Sequence, residues 1–199
     1  MTSRLSLKSR LTLALALVAS LAAQARPAHA DDYAVDEAHT SIVFGISHMG
    51  FSVTYGRFNK LKGAFSLDAA DPTASKFQLA IEAGSIDTNN AQRDGHLKSP
   101  DFLNAAEFPV ITFESTKVAT RQDGDKTVYD VTGNFTMHGV TKEVTLPLTK
   151  LGEGEGPGGY RAGFLCETKL LRSEYGMDKM LPGVGDEVTI LISFEGVKQ

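Results

Sequence analysis

The stretch Ser41-Ile42-Val43-Phe44-Gly45-Ile46-Ser47-His48 decides the fold. Ile42, Phe44, Ile46 and His48 fall on one parity, and Ser41, Val43, Gly45 and Ser47 on the other. A period of two with apolar groups on one side is a strand that buries one face. The same period returns downstream. It appears at Phe77, Leu79, Ile81 and Ala83, from Ile111 and Phe113 to Val118, and from Tyr129 through Val131, Gly133 and Phe135 to Met137. It continues at Val140, Val144, Leu146 and Leu148, at Tyr160, Ala162, Phe164, Cys166, Thr168 and Leu170, and at Val188, Ile190, Ile192 and Phe194. A long strand is read from Gly56 to Ala69. Its apolar phase slips from even Phe58 to odd Leu61, Gly63, Phe65 and Leu67, so a bulge is expected near Asn59–Lys60. Residues 50–55 read as a turn or a short helical plug.

Turn signals separate these runs: Asp71-Pro72, Asp123-Gly124-Asp125 and His138-Gly139. Residues 152–159 hold five glycines and a proline and read as an exposed loop. The alternation stops at Arg93-Asp94-Gly95-His96-Leu97-Lys98-Ser99-Pro100-Asp101-Phe102. This stretch reads as a polar helical connection, capped by Asp87, Thr88 or Asn89, beginning near Asn90 and stopping at Ser99 before Pro100. Asp101 is read as the cap of a further helical turn ended by Pro109. Arg172 to Gly185 is a second irregular crossing. About eight strands joined by short turns make an all-β, antiparallel structure with short helical connections, either a barrel or a sandwich. An eight-stranded barrel holds at most one small or thin ligand. The inward glycines Gly63 and Gly133 favour a hollow barrel, with Gly133 as a level where added bulk would enter a tunnel.

Residues 1–30 carry Arg4, Lys8 and Arg10, an apolar run from Leu11 to Ala23, and Ala28-His29-Ala30 at the end. These are the marks of a cleaved secretory signal peptide, which predicts export to the periplasm. Residues 31–199 then form one domain. That remainder has 16 basic against 24 acidic residues, a net charge of −8. Such a balance argues against nucleic acid, which requires a basic footprint, and against adhesion to an anionic membrane surface, and no stable membrane insertion is expected once the leader is cleaved. Cys166 is the single cysteine, so no internal disulfide forms, and its apolar phase predicts a buried, inert thiol. No histidine pair has metal-ligand spacing and no G-x-S-x-G occurs, so neither a metal site nor a catalytic group is assigned.

Taken together, the residues resemble the YceI-like family of exported, lipocalin-like lipid-binding proteins. The resemblance begins at Asp36-x-x-His39-Thr40-x-Ile42-x-Phe44 and runs through His48, Gly56-x-Phe58 and Gly63. It continues through Ser85-Ile86-Asp87-Thr88, then Asp94-x-His96-Leu97-x-Ser99-x-Asp101-Phe102, then Phe108-Pro109-x-Ile111-Thr112-Phe113-x-Ser115. Gly133-x-Phe135-Thr136-x-His138-Gly139-Val140-Thr141-Lys142, Arg172-Ser173-x-Tyr175-Gly176-Met177 and Asp186-x-Val188-Thr189-Ile190 complete it. The glycine-rich stretch 152–159 departs from the pattern.

The resemblance implies an eight-stranded antiparallel lipocalin-like β-barrel. It implies that the interior binds a long isoprenoid or acyl chain, without catalysis and with no cofactor beyond that lipid. Parity then assigns Phe44, Ile46, His48, Phe58, Phe65, Phe113, Phe135, Phe164 and Phe194 to the lining. Arg93, Asp94, His96, Arg172 and Tyr175 are the candidates for a lipid headgroup, of quinone or prenyl phosphate type. Two other readings stand beside this one. One is an enzyme acting on a small amphiphile at residues 93–101. The other is a stress-response partner of membrane electron-transfer proteins. A homodimer is compatible with each.

Overall fold

A computed structural model describes residues 30–199. The leader read from residues 1–30 lies outside the described residues except for Ala30. No described helix is long and apolar enough to cross a membrane.

The alternating stretch is β2 (Ser41–His48), preceded by β1 (Asp31–Val35). Both lie end to end along the last strand, β11 (Val184–Lys198), with Val35 opposite Gly196 and Ser41 opposite Ser193. Between them Asp36 accepts from Ala38 N at 3.0 Å and caps a single 3-10 turn, Glu37–His39. The chain then returns as β3 (Ser52–Phe58) and β4 (Leu61–Leu67), which pair with β2 and β1 respectively. The expected long strand is thus a broken one, and its break falls at Asn59–Lys60. The backbone there leaves the ladder and donates to Ser85, from Asn59 N to the carbonyl and from Lys60 N to Oγ, both at 3.1 Å.

Residues 52–55 belong to β3 and form no helical plug. The reversal is confined to Met49–Phe51, with Met49 and Gly50 at φ 53° and 72°. Ser52–Gly56 have β2 on one side and no strand on the other, because β3 meets β6 (Ile86–Asp87) only at Arg57 and Phe58.

The wall continues through β5 (Lys76–Glu82), β7 (Val110–Asp123), β8 (Lys126–Met137), β9 (Val140–Gly156), β10 (Gly159–Leu171) and β11, and closes on β1. With β1–β2 and β3–β4 each counted as one broken strand, this is a closed eight-stranded antiparallel barrel. Two-residue turns join β7 to β8 and β8 to β9. The second is His138-Gly139 at φ 53° and 74°, the left-handed pair that matches hairpin twist. The glycine-rich stretch is not a loop. Glu153 pairs with Ala162 and Glu155 with Tyr160, so β9 and β10 run out to a tight turn at Pro157-Gly158.

The β9–β10 ladder stops at Thr149–Leu165. Beyond it β9 pairs only with β8 and β10 only with β11, so the wall parts there. Helix α1 (Ala91–Leu97) lies at the rim of one end of the barrel. Its cap is Asn90, whose side chain accepts from Arg93 N at 3.0 Å, and not Asp87, Thr88 or Asn89 as the sequence reading had it. It ends at Leu97, and residues 100–107 form turns without a second helix.

Two apolar clusters divide the interior. The first, around Tyr33, Phe65, Phe77, Tyr129 and Phe164, closes the end away from α1. The second, around Ile42, Ile81, Ile111, Tyr175 and Met177, lies toward α1.

Candidate functional site

The closed end is a packed floor. Phe65 stacks on Tyr33 at 4.8 Å between centroids and meets Phe77, Phe164 and Phe194 at 5.6–5.8 Å. Phe164 and Cys166 are wholly buried, and burial pushes the Cys166 thiol up to about 12, so it does not ionise near neutral pH. The thiol is inert for the reason its apolar phase suggested.

Above this floor the barrel is hollow. The cavity has a volume of about 710 Å³ and is lined by Ile42, Phe44, Ile46, Leu79, Ile81, Ile111, Phe113, Phe135, Val144, Leu146, Ile190 and Ile192, among others. Such a volume lies within the roughly 300–1,000 Å³ of pockets that enclose a small organic ligand. At its open end are His48, Ser52 and Thr54 from the β2–β3 hairpin, Gln92, Arg93 and His96 from α1, and Met180 and Val184 from the second crossing.

Of the nine residues read as lining, eight border the cavity: Phe44, Ile46, His48, Phe58, Phe65, Phe113, Phe135 and Phe194. Phe164 does not. It points inward, as its parity requires, but sits among Phe65, Phe77, Tyr129 and Phe194 in the floor. The aliphatic lining on the same parities, Ile81, Leu146 and Ile190 among it, was passed over in favour of aromatic rings. The parity that selected the phenylalanines would have found it. Leu97 comes from the short helix α1 and Met177 and Met180 from the second crossing, where no strand period marks them.

The candidate headgroup residues separate. Asp94 is not at the cavity. Its Oδ1 accepts from Thr88 N at 2.8 Å and from Thr88 Oγ1 at 2.5 Å, which docks α1 on the barrel. Arg93 donates from Nε to Thr88 Oγ1 at 2.8 Å and from Nη2 to Thr88 O at 2.7 Å, and borders the cavity. Two of its five N–H donors are used, and the rest remain at the mouth. His96 Nε2 lies 3.0 Å from Asp101 Oδ2, and Lys179 Nζ lies 3.5 Å from the other oxygen. The His96 bond, then Lys179, hold the Asp101 carboxyl below its usual range.

Arg172 is buried and forks into the second crossing, donating to the carbonyls of Gly185 at 2.8 Å, Val184 at 3.0 Å and Met177. Burial pushes the Arg172 guanidinium below its ordinary value. Beside it Asp186 accepts from Ser173 N at 2.8 Å and Oγ at 2.7 Å. Tyr175 is buried edge-on to Phe135 at 5.6 Å, behind the parting between β9 and β10, and its carbonyl accepts from His138 Nδ1 at 2.8 Å. Arg172 and Tyr175 border the cavity, yet their polar contacts fasten the crossing to the barrel.

An all-antiparallel closed barrel with a packed floor and one apolar cavity open at the other end defines a lipocalin-like architecture. The profile of the YceI-like domain matches residues 33–196, and the chain belongs to that family. A UPF0312 protein of Azotobacter vinelandii is 45% identical over 192 residues, covering 94% of this chain and 98% of the relative. The structure of BcnA from Burkholderia cenocepacia is similar at a TM-score of 0.72 and 26% identity, over 81% of this chain and 98% of that one. A polyisoprenoid-binding domain from Saccharophagus degradans shares the fold at a TM-score of 0.63 and 17% identity, over 84% and 98%.

Proposed function

We propose that the chain is an exported carrier of one long amphiphilic lipid, a polyisoprenoid of quinone or prenyl phosphate type, with its tail in the cavity. The observation that carries this reading is the apolar cavity of about 710 Å³, open at one end and walled almost wholly by hydrocarbon. Each methylene moved from water into such a space gains roughly 0.8 kcal/mol, so tail burial alone supplies ample affinity. Non-covalent binding saturates near about −18 to −21 kcal/mol, so selectivity falls to the headgroup. Arg93, with donors left over, and His96 and Gln92 beside it are the groups that meet that headgroup. The fold shared with a domain described as polyisoprenoid-binding is consistent with a chain of this kind.

The test is organic extraction of the purified protein followed by mass spectrometry. A prenyl lipid in the extract, or uptake of one when it is added, is the expected result. A protein that stays empty against prenyl lipids and fatty acids refutes the reading. Residues 1–30 act as the signal peptide in this scheme, so the exported chain begins at Asp31, which N-terminal sequencing checks. The carrier performs no chemistry. His96→Ala and His48→Ala therefore alter binding alone, whereas loss of a turnover with binding intact would make the protein an enzyme.

A further inference from the structure

Two loop tips stand beside the cavity mouth with no charged residue in either. One is Met49-Gly50-Phe51-Ser52-Val53-Thr54-Tyr55 and the other Met180-Leu181-Pro182-Gly183-Val184-Gly185. Met49 N donates to Gly183 O at 2.6 Å, so the tips form one projection. Their apolar side chains face solvent. Phe51 is 87% exposed, Met49 61%, Met180 51% and Leu181 37%. Large apolar groups exposed together mark an interaction site.

We propose that this projection seats the protein on a lipid membrane surface, with the cavity mouth against the bilayer. The proposal rests on the lipid-carrier reading and adds how the ligand is exchanged. The patch is continuous with the cavity lining, since His48, Ser52, Met180 and Val184 border both. An apolar tail leaving the cavity therefore passes over these tips, and a bilayer covering them lets it pass without entering water. A second copy seated here would stopper both mouths. Charge agrees with insertion rather than adsorption. Lys179, adjacent to the second tip in sequence, is already paired with Asp101 at 3.5 Å, Arg93 at the mouth is tied to Thr88, and the chain is acidic overall. Docking is thus expected on neutral lipid, with little dependence on salt.

The chain contains no tryptophan, so Phe51→Trp is a unique reporter of the tip. Leu151→Trp, at an exposed position of β9 toward the closed end, is the control in the same full chain. On neutral phosphatidylcholine vesicles, the Phe51→Trp emission shifts to the blue and is quenched by brominated acyl chains. Leu151→Trp is unaffected, and high salt changes neither. Phe51→Ser with Met49→Ser, two exposed tip residues that do not line the cavity, weakens vesicle association by about tenfold or more, while uptake of parinaric acid by the cavity is retained. No quenching of Phe51→Trp, or equal quenching at both positions, overturns the proposal. So does a blue shift that grows with protein concentration without vesicles, which makes the projection an interface between copies. Quenching at the tip with neither parinaric acid nor an added prenyl lipid taken up would instead sink the carrier reading and leave the docking in place.

Discussion

Phe164 and Phe44 both point into the barrel, and replacing each by alanine separates the floor from the cavity. The Phe164 ring is wholly buried, with Phe65, Phe77, Tyr129 and Phe194 at centroid distances of 5.3–5.6 Å. Its removal leaves a hole between rings that cannot collapse, and Phe→Ala in such a place costs about 3–5 kcal/mol. The Phe44 ring borders the cavity and meets one other ring, Phe58, at 5.8 Å. Its removal enlarges a space that is already there, so the cavity penalty is absent and the cost is about 1 kcal/mol. At about 2–4 °C per kcal/mol for a domain of this size, Phe164→Ala lowers Tm by about 6–20 °C and Phe44→Ala by about 2–4 °C. Thermal melts followed by circular dichroism read both. Lipid affinity per folded molecule moves the other way, falling for Phe44→Ala and holding for Phe164→Ala. Equal Tm losses would mean that the region around Phe44 is packed like the floor, and the division of the interior would be wrong.

Ile190→Trp places a large ring in the cavity from β11; it is expected to fold and to exclude lipid, and a variant that binds lipid normally counts against this position of the tail. Gly133→Leu is expected to yield little folded protein by circular dichroism, because even a Cβ there would lie 2.4 Å from Glu114 O and 2.8 Å from Ser115 Cα. Asp36 is held well below its ordinary 3.8 by the Arg161 hydrogen bond first and that of His39 second. Its stabilisation is therefore present above pH 3.8 and is lost as pH falls through the lower folded value. Asp36→Asn should flatten the acid limb of the stability curve, and an unchanged limb refutes that role.

Much of the fold was legible because one physical signal, the alternation of apolar residues, is enforced at every step of a strand buried on one face. Where composition was weighed above alternation, the reading failed. Residues 152–156 read Gly-Glu-Gly-Glu-Gly, which is a period of two, yet their glycines suggested a loop. Pairing with β10 overrides that weak local preference. Residues 52–55 were read as part of a turn or a short helical plug, although Ser52 and Thr54 keep the inward parity at the cavity mouth. In the polar connection Arg93 and Asp94 carry charges that suggest a headgroup site. Their use depends on Thr88, which the fold buries beneath them and no local pattern reveals.

The place of the hollow was misread for a more general reason. An inward glycine was taken as a sign of open space, but Gly133 lies where β7 bulges toward it between Ser115 and Lys117, and Gly63 lies 2.8 Å, at its Cβ position, from Gln78 O. These glycines let backbones and side chains come together. What leaves the space is side-chain size, level by level. Strand number and tilt give an eight-stranded barrel a nearly constant bore, so each level is filled or open according to what points inward. At the floor, Phe164 stands opposite Phe194 and Phe65 opposite Phe77, and with Tyr33 and Tyr129 they close the bore. Nearer the mouth Ile190 and Ile192 face Phe44 and Ile42, and Ile81 faces Ile111, which are too short to meet across the barrel. Assigning residues to levels needs the register between strands distant in sequence. Alternation fixes the face of each residue and leaves its height in the barrel unknown, so the cavity could be expected from the sequence but not located.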